Sequence, residues 1–159
     1  MEIRVDDVRG PEIAALLEAH LENSRRWSPP GSIHALDLAA LRVPEITLWT
    51  LWEAGALCGC AALKELSKTT GEIKSMHTAI ERRGRGVAER LLRHIIAEST
   101  LRAYAHLYLE TGSMDAYRPA RSLYQKLGFV PCDPFGGYSL DPHSAFMHLA
   151  LANPPRPPR

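Results

Sequence analysis

Residues 83–88 read Arg-Gly-Arg-Gly-Val-Ala, and their types and spacing suit the binding of a polyanion. They follow an apolar-rich, strand-like run, Ile73 to Ile80, and open an amphipathic, helix-like run from Val87 to about Tyr104. A glycine-rich turn between strand and helix leaves several backbone N–H groups free and pointing one way, a cradle for a phosphate or pyrophosphate. A side chain at Gly84 or Gly86 would hold such a ligand off the backbone. Arg82, Arg83 and Arg85 stand where the helix dipole disfavours cations, and a bound polyanion gives them a reason to be there. The same residues also read as a solvated turn with surface arginines, and the turn alone leaves both readings open. No Gly-Lys-Ser/Thr follows it, and the triple-glycine spacing of a dinucleotide fingerprint is missing.

Other reactive side chains are spread more thinly. In the strand before the turn, a regular period of two puts Glu72 in phase with Lys74, Met76 and Thr78 and turns the His77 side chain the other way. Tyr124 falls on an apolar helical stripe, where a core role is the plain reading. Three cysteines give no disulfide framework; Cys58 and Cys60 are predicted to share one face of a strand as small buried residues. Seven histidines show no metal-type spacing, so no metal site is assigned.

The elements that position these residues alternate. Ile3 and Val5 mark a short strand, and Pro11 opens a helix with an Ile13, Leu16, Leu17 and Leu21 stripe. Trp27-Ser28-Pro29-Pro30-Gly31 breaks it, and a short helix follows at about Leu36 to Leu41. Ile46 to Glu53 and Ala56 to Leu66 read as an antiparallel hairpin around Ala54-Gly55. Thr69-Thr70-Gly71 turns into the strand that meets the glycine loop. After it come a helix with Val87, Leu91, Leu92, Ile95 and Ile96 on one face, and a strand at His106 to Glu110. A second helix follows, with Pro119 in its first turn and Gly128 beyond its end. Phe129-Val130 starts another strand, residues 131–144 form a loop, and Ala145 to Leu151 closes the domain. Such an order makes a mixed α/β sandwich, with the glycine turn at the carboxyl end of a central strand, where open sheets admit ligands.

Length and composition agree with one globular domain, residues 1–152, followed by a proline-rich tail, 153–159, expected to be disordered or polyproline-like. At 45% hydrophobic and 23% charged residues, with a net charge of +1, no whole-chain case exists for nucleic acid or membrane binding. The N-terminus lacks the apolar core of a secretory signal, so the expected setting is the cytoplasm.

Two blocks in order carry a family likeness. Arg83-Gly84-Arg85-Gly86-Val87-Ala88 resembles the acetyl-CoA loop of the GNAT superfamily, Arg/Gln-x-x-Gly-x-Gly/Ala. Ala120-Arg121-Ser122-Leu123-Tyr124-Gln125-Lys126-Leu127-Gly128-Phe129 resembles that family's Ala-x-x-Leu-Tyr-x-x-x-Gly-Phe helix. Leu109-Glu110-Thr111-Gly112 and Pro134-Phe135-Gly136-Gly137-Tyr138 are similar to a subgroup of small bacterial members. Ile80 stands where many members have Pro, and Tyr117 where many have an Asn that contacts the cofactor.

The resemblance implies a mostly antiparallel central sheet flanked by helices and splayed where the loop follows the central strand. It also implies an N-acetyltransferase that moves the acetyl group of acetyl-CoA to a primary amine by direct attack in a ternary complex. On it, the amides of Arg83, Gly84, Arg85, Gly86, Val87 and Ala88 hold the pyrophosphate, the main chain of Met76, His77 and Thr78 pairs with the pantetheine arm, and the Thr78 amide faces the oxyanion. Tyr124 then protonates the leaving thiolate, and Glu72 is the base, unless it is a structural ion pair with Lys74 or a neighbouring strand. Trp27, Glu110, Phe135 and Tyr138 are the expected walls of the acceptor site. The acceptor is expected to be a small-molecule amine or amino acid, with a protein amine, a homodimer and a non-catalytic acyl-CoA sensor left open.

Overall fold

Alternating apolar residues in the middle of the chain build a sheet, and helical stripes before and after it cover the two faces. The computed structural model describes residues 1–152, and the expectation for Asn153–Arg159 lies outside them. Among the described residues, the elements run β1 (Glu2–Asp6), α1 (Pro11–Trp27), α2 (Leu38–Leu41), β2 (Ile46–Glu53), β3 (Ala56–Ser67), β4 (Thr70–Thr78), α3 (Val87–Leu101), β5 (His106–Gly112), α4 (Arg118–Lys126), β6 (Val130–Pro131) and β7 (Ser144–Ala150). The strands form one sheet in the order β1-β2-β3-β4-β5-β7-β6. β4 and β5 run parallel, and every other neighbouring pair is antiparallel. Among the described residues, no helix is long and apolar enough to cross a membrane.

Each face has its own core. On one, Val87, Leu91, Leu92 and Ile95 of α3 and Tyr124 of α4 pack against Leu51, Ala61, Leu63, Ile73, Leu107 and Leu109. On the other, Ile13, Leu16 and Leu17 of α1 meet Leu48, Cys60 and Ala62. Cys58 and Cys60 are fully buried, but on opposite faces rather than the same one. A register shift explains the difference. Leu51 pairs with Gly59 and Trp52 with Leu57, so Cys58 is an extra residue that reverses the alternation.

Several element ends also differ from the sequence pattern. α3 stops at Leu101 instead of about Tyr104 because Ala103 turns left-handed, with φ at 62°. The turn sends Tyr104 back into the core, where its hydroxyl donates to Glu65 Oε1 at 3.0 Å. β4 already begins at Thr70 and ends at Thr78, and a short 3-10 turn, Ile80–Arg82, leads from it into the glycine loop.

Two contacts fix the helices over β4. α3 lies so close to β3 that a Cβ at Gly59 would sit 2.7 Å from Val87 Cγ1 and 2.9 Å from the His77 carbonyl oxygen. On the opposite face, His20 of α1 meets His77 of β4, with their Nδ1 atoms 3.3 Å apart. Burial holds both imidazoles neutral, each pushed down to about 4, His20 further by His77 and His77 by Arg83.

Gly59→Ala should therefore lower stability by about 1–3 kcal/mol by overpacking, read as a lower urea midpoint; an unchanged midpoint would show that α3 yields freely. The histidines set a pH dependence. Their folded values lie below the ordinary 6.5, so the unfolded chain binds more protons. Their contribution is whole above pH 6.5 and is lost as pH falls through about 4. Thermal melts across that window should show the loss, and His20→Phe should flatten the curve.

Candidate active site

β4 and β5 pair only from Thr70↔His106 to Ile73↔Leu109. Beyond that point β4 stays with β3 as far as Gly59↔Thr78, while β5 stays with β7 as far as Gly112↔Ser144. Among the described residues, one edge of β4 from Lys74 to Thr78 thus lacks a strand partner, and the sheet opens. A bulge lies at the opening. β3 advances from Cys60 to Ala62 while β4 covers His77 to Lys74, and Ser75 takes a left-handed φ of 53°. Its carbonyl accepts the Cys60 thiol at 3.3 Å.

The bulge corrects the predicted phase of this strand. Glu72 and Lys74 share the α1 face with His77, whereas Met76 packs with the core under α3 and α4. The His77 side chain does oppose Met76, as expected. Ala79 N–H donates to the Cys58 carbonyl at 2.8 Å, which makes Gly59↔Thr78 a non-hydrogen-bonded pair. The Thr78 N–H accordingly points away from β3, toward the open edge.

A groove of about 530 Å³ runs along that edge. Met76, His77, Thr78, Arg83, Gly84, Gly86, Val87, Ala88 and Tyr124 all line it, and Arg85 does not. Gly84 and Gly86 have φ of 76° and 80°, and a Cβ at either would touch nothing within 4 Å. Glycine is needed there for the backbone conformation, which starts α3 and leaves the amides of residues 84–89 without backbone partners among the described residues. Arg82, also on the groove, is braced by Glu53 at 3.4 Å. Trp27 lines this groove, edge-on to Tyr117 at 5.6 Å, rather than the inner cavity expected for an acceptor wall.

Tyr124 is held by the end of its own helix. Phe129 N–H donates to the Tyr124 carbonyl at 3.0 Å, and the buried Phe129 ring stands edge-on to the phenol ring at 5.9 Å. The Tyr124 hydroxyl reaches Met76 Sδ at 3.8 Å, at the mouth of the splay. Burial, and then the Glu110 charge, pushes this phenol up to about 12, so it stays protonated.

Behind Tyr124 lies a smaller polar cavity of about 120 Å³. Glu110, Lys74, Ser75, His34, Ser28 and Tyr117 line it, and it shares His20, Met76 and Tyr124 with the groove. Burial raises the Glu110 carboxyl above the ordinary carboxylate range against the pull of His34 and Lys74. Glu72 is differently placed. Its Oε2 accepts from Lys74 Nζ at 3.1 Å and from the Tyr138 hydroxyl at 2.6 Å, and it does not line this cavity. Tyr138 lines a third cavity with Glu72 and Lys74, and its phenol is pushed up by burial and by Glu72. Phe135 lines none of the three; it packs on Tyr108, Tyr138 and Phe146.

Sequence reasoning missed His20 and Ser75. His20 looked like one more polar position on α1, and only the partner strand shows that it faces His77. Ser75 Oγ is buried without a hydrogen-bond partner among the described residues, a consequence of the bulge that no residue pattern announced.

Known proteins place this geometry. The acetyltransferase (GNAT) domain family matches residues 44–131. The chain is 50% identical to the uncharacterized N-acetyltransferase YsnE of Bacillus subtilis over 95% of this chain and 100% of the relative. It is 44% identical to the uncharacterized N-acetyltransferase YedL of Escherichia coli over 94% of each. The fold matches a crystal structure of a GNAT family acetyltransferase from Elizabethkingia anophelis with acetyl-CoA bound, at a TM-score of 0.70 and 19% identity, over 94% of this chain and 97% of that one. With a matching domain and near full-length relatives of one kind, the chain belongs to the GNAT superfamily and is an N-acetyltransferase.

Proposed function

We propose that the enzyme transfers the acetyl group of acetyl-CoA to a primary amine of a small molecule, by direct attack within a ternary complex. One observation carries this reading: the splay of β4 from β5 joins a cradle of unpaired amides to a buried phenol, and the phenol to a polar cavity with a carboxylate. The relatives' names and the acetyl-CoA in the Elizabethkingia structure support the donor. The small size of the inner cavity favours a small acceptor over a protein chain.

The residues fit the donor. The amides of residues 84–89 and Arg83 take the diphosphate at the positive end of α3. The free edge of β4 offers main-chain groups to the pantetheine arm. Acetyl-CoA supplies an activated acyl carbon and a thiolate leaving group. For the oxygen of that acyl group, the Thr78 amide, which points to the open edge of β4, is the donor. Tyr124 gives its proton to the thiolate. Glu110, rather than the ion-paired Glu72, takes the proton of the amine, because its carboxylate faces the cavity and burial raises its basicity. The amine nitrogen bonds to the acyl carbon as the carbon–sulfur bond breaks.

Calorimetry with acetyl-CoA should show one-to-one binding, and Gly86→Glu should abolish it while leaving a cooperative melt; binding retained in that variant would refute the cradle. A free-thiol release assay across an amine panel tests transfer itself. Tyr124→Phe should lower kcat by roughly tenfold or more, the scale of a lost proton donor, and unchanged turnover would remove Tyr124 from the chemistry.

A further inference from the structure

We propose that the acceptor cavity selects a cationic amine that carries no carboxylate, such as an amino alcohol, an arylalkylamine or an amino sugar, and turns away the corresponding α-amino acid. The inference rests on the acetyl-transfer reading and narrows its substrate class.

The charges around the cavity lead there. The ammonium of Lys74, the single lysine or arginine on its wall among the described residues, is already engaged. It donates to Glu72 at 3.1 Å and to the Tyr138 hydroxyl at 2.8 Å, and it lies 5.6 Å from the centre of the Tyr138 ring. Glu72 and Lys74 are both almost fully buried, so the pair is internally neutral and fixed. Arg121 of α4 donates to the Gly112 and Met114 carbonyls and does not line the cavity. Asp141, which lines the third cavity and not this one, is held by Ser32 and by the His143 amide. Glu110 stands on the wall with no lysine or arginine in ion-pair contact among the described residues. Lys74 is neutralised by Glu72, which leaves Glu110 as the carboxylate on the described wall without an ion-pair partner.

A carboxylate brought into this space would meet an uncompensated like charge in a low dielectric and find no guanidinium to receive it. An ammonium meets the reverse: Glu110 attracts it, and then receives its proton. The remaining polar wall is hydroxyl, apart from the neutral imidazole of His20. Ser75 Oγ is buried and unpartnered among the described residues, and Ser28 Oγ lies 2.9 Å from the Tyr117 hydroxyl. These groups exchange hydrogen bonds with neutral donors and acceptors on a ligand and supply no charge to balance an acid.

The test compares matched pairs that differ by one carboxylate: 2-aminoethanol with serine, tyramine with tyrosine, histamine with histidine. With saturating acetyl-CoA at one pH, kcat/KM for the amine should exceed that for the amino acid by at least tenfold in every pair that is turned over. In calorimetry on the coenzyme A complex, Glu110→Gln should bring the amine-to-acid ratio of binding constants to within about threefold, since the isostere keeps shape and removes charge. Equal or greater use of the amino acids overturns the inference and leaves acetyl transfer standing. Acetyl-CoA binding with no amine of the panel used also counts against it. Failure to bind acetyl-CoA removes the transfer reading and this inference together.

Discussion

The parting of β4 from β5 is the constraint on which the rest of the structure depends. Two parallel strands that paired to their ends would bury the main chain of β4 in a ladder and leave no edge to bind anything. Here the ladder stops at Ile73↔Leu109. Each strand keeps its other neighbour, β3 for β4 and β7 for β5, so the opening does not unravel the sheet. The exposed backbone groups need partners, which a ligand lying along the edge would provide. Ser75 turns the chain at this point in a conformation unfavourable for a residue with a side chain, and such strain persists where surrounding contacts impose it. The Cys60 thiol on its carbonyl and the His20–His77 contact beyond it are two of those contacts.

The histidine contact has a chemical consequence. Two neutral imidazoles that share an Nδ1···Nδ1 hydrogen bond must be opposite tautomers, one donating and one accepting. One ring therefore presents a bare Nε2 and the other an Nε2–H. His20 borders both the groove and the inner cavity, and His77 borders the groove. The pair closes α1 over the splay without placing a charge beside the groove, which has Glu110 in the cavity behind it and the arginines of the loop at its other end.

Much of this was legible in the residues. The amphipathic stripes of α1, α3 and α4, the β2–β3 hairpin and the glycine turn all fall where their patterns put them, because each is set by local chemistry: periodicity, a turn residue, a helix start. The likeness of the Arg83–Ala88 and Ala120–Phe129 blocks to one superfamily held as well, and with it the splayed sheet. What local chemistry does not encode is an extra residue in a strand. The bulges at Cys58 and Ser75 each reversed an alternation that looked regular, so Cys58 and Cys60 lie on opposite faces, and Glu72 and Lys74, still in phase with each other, share the face of His77 and not that of Met76. A bulge is decided by the partner strand's register, which no single segment contains. The aromatic loop misled for a similar reason. Phe135 and Tyr138 are close in sequence, yet Tyr138 turns inward to Glu72 while Phe135 caps the ring cluster over β5 and β7.

In the proposed reaction, a phenol pushed up to about 12 is a reluctant acid toward a thiolate, which normally holds its proton near the cysteine range. The cavity contains its own remedy. After burial, the second cause of the high Tyr124 value is the negative charge of Glu110. When Glu110 accepts the proton of the attacking amine, that charge disappears, and the electrostatic part of the phenol's reluctance disappears with it. The base and the acid are thereby linked across the reacting atoms: Tyr124 becomes more willing to release its proton once the amine has lost one. While Glu110 carries its charge, Tyr124 holds its proton more tightly, and the thioester sulfur has a poorer acid beside it. In that reaction the charge of Glu110, which disfavours a phenolate at Tyr124, would set the order in which the two groups act.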